Sequence, residues 1–177
     1  MEFVKALSLC QPAKTFIEER LTTAQVEQII TAGLAAPVRL ELEESFHISA
    51  IRSERVLDHF EGEISDFSLQ TQEEIKSGGP VYFVISVKDH QHSKESLYLY
   101  AGMIMANMQL QATNDFLGYN FTSEQPNLKM LHAPYAKKRL GIPEDFSPIQ
   151  ILKVGYTSEE VERRKPHMSE VFTRIIS

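Results

Sequence analysis

The chain has 177 residues, 42% of them hydrophobic, and a formal net charge of -6 at pH 7. That length suffices for one domain spanning 1–177 that buries most of its apolar surface, and no Gly/Ser/Pro tract, internal repeat or low-complexity segment divides it. The acidic balance argues against nucleic acid or an anionic membrane as the main partner, because both require a basic footprint.

The first ten residues contain one lysine and a short apolar stretch, without the positive segment, long apolar run and small-residue cleavage site of a secretory signal, so a cytoplasmic location is expected. The only cysteine, Cys10, cannot close an internal disulfide, which agrees with a reducing compartment. It reads as a small core residue rather than a nucleophile. Thr22-x-x-Gln25 is a capping box, and Val26, Ile29, Ile30 and Leu34 follow at helical spacing until Gly33 to Pro37 ends the helix. In residues 38–44, Val38, Leu40 and Leu42 alternate with Arg39, Glu41 and Glu43, which predicts a half-exposed strand.

Residues 46–52 and 81–88 are rich in β-branched and aromatic side chains and predict two more strands, the second introduced by the turn signal Gly78-Gly79-Pro80. Between Phe60 and Gly78 there is little room for a further helical excursion. His90 and His92 lack further ligands at diagnostic spacing, so they read as a solvated helix entry and no metal site is expected. In residues 97–117 apolar side chains surround nearly the whole circumference, which predicts a long helix buried on most sides and stopped by Gly118. Ala101, Gly102 and Ala106 are small enough to admit another helix or a second subunit. Asn107, Gln109 and Gln111 at its centre argue against a membrane span.

A strand is expected at 118–122, then a short helix closed by Leu140-Gly141-Ile142-Pro143, with Lys137, Lys138 and Arg139 favoured at its C-terminal end by the helix dipole. A buried strand over 149–156 and a basic tail, Glu162-Arg163-Arg164-Lys165-Pro166, complete the pattern. Helices alternating with strands make this an α+β chain. Neither a Gly-x-Gly-x-x-Gly run, a P-loop nor a Gly-x-Ser-x-Gly elbow is present.

The order of buried helix, short strand, Leu140-Gly141-Ile142-Pro143-Glu144, strand ending Gly155-Tyr156 and Arg164-Lys165-Pro166 tail resembles the nitroreductase family of FMN-dependent oxidoreductases. Upstream, Lys14 and Phe16 match part of that family's Arg-x-Ser-x-Arg/Lys-x-Phe segment, and Ala36-Pro37 stands where its Ala-Pro-Ser-x-x-Asn-x-Gln-Pro motif begins. The resemblance implies a mixed sheet packed between helices, a homodimer joined through the long buried helix, FMN as cofactor, NAD(P)H as electron donor and a small-molecule acceptor such as a nitro compound, quinone or enone.

By the same resemblance Lys14 takes the cation position at the pyrimidine end of the flavin, and Arg164, flanked by Arg163 and Lys165, takes the phosphate position. The backbone donor to flavin N5 falls in 123–126, on Ser123 or Glu124, because Pro126 has no N–H. Departures accompany these matches. Cys10 and Pro12 replace the family's phosphate-binding Arg and Ser, and Gln11 enters only by a one-residue shift of register, as a neutral group. Residues 38–44 replace the family's Ser, Asn and Gln; one carboxylate there about 5 Å from a phosphate would cost about 3 kcal/mol at an effective dielectric near 20. Two functions therefore stand at this point: an FMN-dependent oxidoreductase, and a nitroreductase-fold homodimer whose flavin site has decayed and which binds another small ligand or a partner.

Overall fold

In a computed structural model of the chain, residues 2–52, 79–88, 93–122 and 131–164 are described. The elements, in order, are α1 (Phe3–Leu9), α2 (Thr23–Leu34), a 3-10 turn (Leu40–Ser45), β1 (Phe46–Ile51), β2 (Val81–Lys88), α3 (Lys94–Asn114), β3 (Gly118–Thr122), α4 (Pro134–Leu140) and β4 (Phe146–Gly155). The stretch between Phe60 and Gly78, and both His90 and His92, lie outside the described residues.

The four strands form one sheet in the order β1-β2-β4-β3. Every pairing among these described strands is antiparallel. The reason lies in the order of insertion. β2 and β3 run the same way, as a helical crossover between them requires, but β4 enters between the two and makes both contacts antiparallel.

Both faces of the sheet are covered by helices. Val81, Phe83, Ile85 and Val87 of β2 join Leu152 and Val154 of β4 in a core closed by α2 and α3. On the other face Val84, Ile51 and Ile151 pack with Ala136, Leu140 and Ile142 around α4. The α+β fold with a sheet between helices is thus the observed architecture.

Local codes explain the helix ends. The backbone N–H of Gln25 donates to Thr22 Oγ1 at 3.2 Å and that of Thr22 to Gln25 Oε1 at 2.8 Å, so the capping box opens α2. At α4, Pro134 occupies the first turn and Gly141 adopts the left-handed conformation, φ 67°, while the Ile142 N–H reaches back to Lys137 O at 2.8 Å.

Two sequence expectations need correction here. Residues 38–44 form no strand. The Leu42 N–H donates to Arg39 O at 2.8 Å, the short-range bond of a 3-10 turn, Leu42 is buried, and Glu43 and Glu44 point to solvent. A period of two marks which side chains alternate but supplies no partner strand. Gly118 does not end α3. The helix stops at Asn114, and Gly118 is the first residue of β3. Within one chain, Leu97, Ala101, Ile104, Met105, Met108 and Ala112 of α3 are covered, whereas Tyr98 and Leu99 are exposed and a Cβ at Gly102 would meet nothing within 4 Å. Gly33 of α2 makes a close helix approach, its added Cβ lying 2.9 Å from Met108 Cγ.

The end of α3 carries a cost. Leu117 N–H donates to Ala112 O at 2.9 Å and Phe116 N–H to Thr113 O at 3.1 Å, which places Phe116 in the left-handed position that glycine usually fills, with φ 58°. Its ring is 76% exposed and so recovers little by burial. Phe116→Gly should therefore stabilise the fold by about 0.5–1 kcal/mol. Thermal unfolding tests this; a lowered melting temperature would show that the ring makes contacts worth more than the relieved strain.

Candidate functional site

From the last turn of α1, which contains Ser8, residues 10–17 continue without regular structure and run between two other segments. On one side Ala13 N–H donates to Tyr119 O at 2.7 Å and Asn120 Nδ2 to Ala13 O at 3.1 Å, which seats the segment beside β3. On the other, the chain leaving β4 returns antiparallel to it. Arg164 N–H donates to Ser8 O at 2.7 Å, and Ile17 N–H to Tyr156 O at 2.9 Å.

Between those two bonds sits Glu159. Its Oε1 accepts from Lys14 N–H at 2.7 Å and from Thr15 Oγ1 at 2.8 Å, and also from the Thr15 N–H. Partial desolvation works against its charge, but the Thr15 hydroxyl and the two backbone donors prevail, with help from the Lys14 charge, and hold the carboxyl below its ordinary value of 4.5. It is ionised wherever the protein works near neutrality.

This pairing brings Lys14 and the Arg163-Arg164 pair onto adjacent segments. All three side chains are exposed, and none forms an ion pair with another described residue. Lys14 lies six residues from Ser8, where Arg164 is tied, a separation of at most about 20 Å along an extended chain. Gln11 is half-buried and borders an open cleft of ≈ 240 Å³ with Pro12, Phe116, Thr157 and Glu159. Lys165, Ser123 and Glu124 lie outside the described residues.

At the Arg164 end stands the residue that replaces the family's arginine. Cys10 Sγ lies 3.3 Å from the hydroxyl of Tyr119, a ring only 4% exposed. Burial, and then the bond and charge of Cys10, push the Tyr119 hydroxyl well above its ordinary value of 10.0, while the Arg164 charge pulls it down. The Tyr119 hydroxyl therefore stays protonated. It stays neutral within the field of Arg164.

Several of these residues escaped the sequence reading. Glu159, Thr15 and Tyr119 act through partners more than a hundred positions away, and nothing local marks them. Lys153 did leave a signal, as a charge inside an apolar strand. It is 5% exposed, and its ammonium lies 4.6 Å from the Phe16 ring centroid and 5.7 Å from that of Tyr82. Beneath the Lys14 segment there is thus a second cation, clamped by the aromatic residue that follows Lys14. Among the described residues no cluster suited to a metal ion occurs, and no helix is long and apolar enough to cross a membrane.

With this geometry in place, comparison of the fold becomes informative. The chain is similar to a nitroreductase with bound FMN from Desulfitobacterium hafniense, at 16% identity and a TM-score of 0.78, over 99% of this chain and 100% of that one. It is similar to a nitroreductase with bound FMN from Bacteroides fragilis, at 15% identity and a TM-score of 0.76, over 99% and 100% of the two chains. An NADPH:FMN oxidoreductase from Vibrio harveyi, complexed with NAD+, matches at 19% identity and a TM-score of 0.71, over 99% of this chain and 78% of its own. No family model matches the sequence, and no curated protein does. The chain has the nitroreductase fold.

Proposed function

We propose that the protein is an FMN-dependent NAD(P)H oxidoreductase of the nitroreductase type, cytoplasmic and homodimeric. The observation that supports this reading is the antiparallel approach of residues 156–164 to residues 8–17, which brings Lys14 and Arg163-Arg164 onto adjacent segments of a nitroreductase fold. A flavin mononucleotide has two anionic demands, at its phosphate and, once reduced, at its pyrimidine edge, and this donor set answers both. Structures of this fold that hold FMN include those from Desulfitobacterium hafniense and Bacteroides fragilis.

When bound, FMN would supply the redox chemistry, accepting hydride from NAD(P)H and passing two electrons to a nitro, quinone or enone acceptor. The chain's own part is binding and electrostatics. Arg163 and Arg164 would hold the phosphate, and the Lys14 ammonium would offset the negative charge that the reduced ring carries. No side chain needs to act as acid or base. The half-open face of α3, with Tyr98, Leu99 and the uncovered Gly102, is the surface that a second copy would cover.

A second reading is favoured by one observation: Cys10 and Pro12 supply no charge at the phosphate end, and Cys10 is engaged with Tyr119. In that reading the homodimer binds another small ligand without redox catalysis. The two separate on purification without added cofactor. The oxidoreductase should be yellow and release flavin on denaturation, and saturation at about 100 times the dissociation constant should add about 2.7 kcal/mol to its stability. A colourless protein whose melting temperature FMN does not raise would sink the first reading.

A further inference from the structure

Two bonds bracket the pairing of residues 8–17 with 156–164, one at Ser8 and one at Ile17. Between them the only described link from the C-terminal segment is a side chain, that of Glu159. Its own backbone is set by a bond from its N–H to Thr157 Oγ1 at 3.1 Å. From there one carboxylate oxygen collects Lys14 N–H, Thr15 N–H and Thr15 Oγ1. These are charge-assisted bonds to main chain, and they fix the backbone direction from which the Lys14 side chain departs.

Without that oxygen, two successive N–H groups would turn to water and the Lys14 stem would start from a freer backbone. A long ammonium side chain carries much rotamer entropy already, so freedom at its root adds directly to what a ligand must freeze. Lys14 itself has no ion-pair partner among the described residues that could hold it instead.

We propose that Glu159 is the positioning residue of the cofactor site, holding the Lys14 backbone so that its ammonium meets the flavin ring edge. This rests on the reading of the protein as an FMN-binding oxidoreductase. It also fixes a sign. Glu159 places a negative charge against the Lys14 backbone, beside the proposed site of an anionic ligand, so on charge alone its removal should tighten FMN binding. A positioning role demands the opposite.

The test is a fluorescence titration of FMN, and of riboflavin, into ligand-free wild type, Glu159→Ala, Glu159→Gln, Lys14→Met and the double variant Glu159→Ala/Lys14→Met. Glu159→Ala should bind FMN about tenfold more weakly, the loss expected for charge-assisted bonds of this kind. Riboflavin should lose as much, because the effect acts at the ring and not at the phosphate. Glu159→Gln keeps an oxygen acceptor and sheds the charge, so it should bind at least as well as wild type. In the Lys14→Met background the alanine substitution should cost less than about twofold, the signature of two residues acting as a unit.

Wild-type protein that binds neither ligand overturns the oxidoreductase reading and the positioning role with it. Should wild type bind while Glu159→Ala binds equally or more tightly, or its loss persist in full in the Lys14→Met background, the positioning role alone falls. A glutamine variant as weak as the alanine one also overturns it.

Discussion

Replacing Arg163 and Arg164 together by alanine should weaken FMN binding by about two decades or more, since hydrogen bonds to charged groups contribute roughly 1.5–3 kcal/mol each and every 1.4 kcal/mol is tenfold. Both side chains are exposed and without an ion-pair partner among the described residues, so the ligand-free protein should melt where wild type does. The bond that ties Arg164 to Ser8 is made by its backbone and survives the substitution. Riboflavin provides the internal control. It lacks the phosphate and should bind the double variant as it binds wild type. Isothermal titration with the two ligands measures the contrast. Equal losses for both would place the arginines away from the phosphate, and no loss for FMN would remove them from the site.

That expectation follows the proposal that Arg164, and not position 10, supplies the phosphate-binding cation. A guanidinium is absent where it would lie beside the phosphate in sequence order. The returning C-terminal segment places another close enough to act on the hydroxyl that Cys10 touches. A charge need not come from a particular position along the chain if the fold delivers one to the same point in space. Only a structure displays this, because the pairing joins Ser8 to Arg164.

The division between what was legible and what was not follows the range of the forces. The capping box at Thr22 and Gln25, the left-handed Gly141 after α4 and the strands around Phe83 and Ile151 are written in neighbouring residues, and they stand where the sequence places them. Residues 38–44 misled because alternation is a property of side chains, whereas a strand also needs a free edge to pair with. The end of α3 misled for another reason. Glycine is the favoured left-handed residue, yet here the turn closes on Phe116 because Gly118 is needed two residues later, where an added Cβ would strike Ala13 and Thr157 at 2.9 Å. Glu159, the centre of the candidate site, has no local signature at all, since its three donors stand 144 and 145 positions away.

Gly155→Ala should destabilise the protein by about 1–3 kcal/mol, the usual cost of overpacking a close contact. The new Cβ would lie 2.9 Å from Pro80 Cβ, 3.1 Å from Pro80 Cα and 3.1 Å from Phe16 Cδ1. Pro80 offers ring and backbone, neither of which gives way easily. The ring of Phe16 must therefore move, and with it the face that receives the Lys153 ammonium. For a chain of this length the melting temperature should fall by roughly 2–4 °C per kcal/mol. Gly33→Ala is the instructive contrast: its Cβ would meet Met108 Cγ and Sδ at 2.9 and 3.0 Å, the far part of a flexible side chain, and alanine regains up to about 1 kcal/mol of helix propensity. It should come out near neutral, although the nominal clash is as close. Because Phe16 follows Lys14 by two residues, Gly155→Ala should also weaken FMN binding, whereas Gly33→Ala, packed between α2 and α3, should not. Loss of stability with unchanged FMN affinity in Gly155→Ala would show that the Phe16 ring is not coupled to Lys14. The glycine before Tyr156 is thus required at the end of β4 by Pro80 and Phe16, and the same contact links the sheet to the segment that carries Lys14.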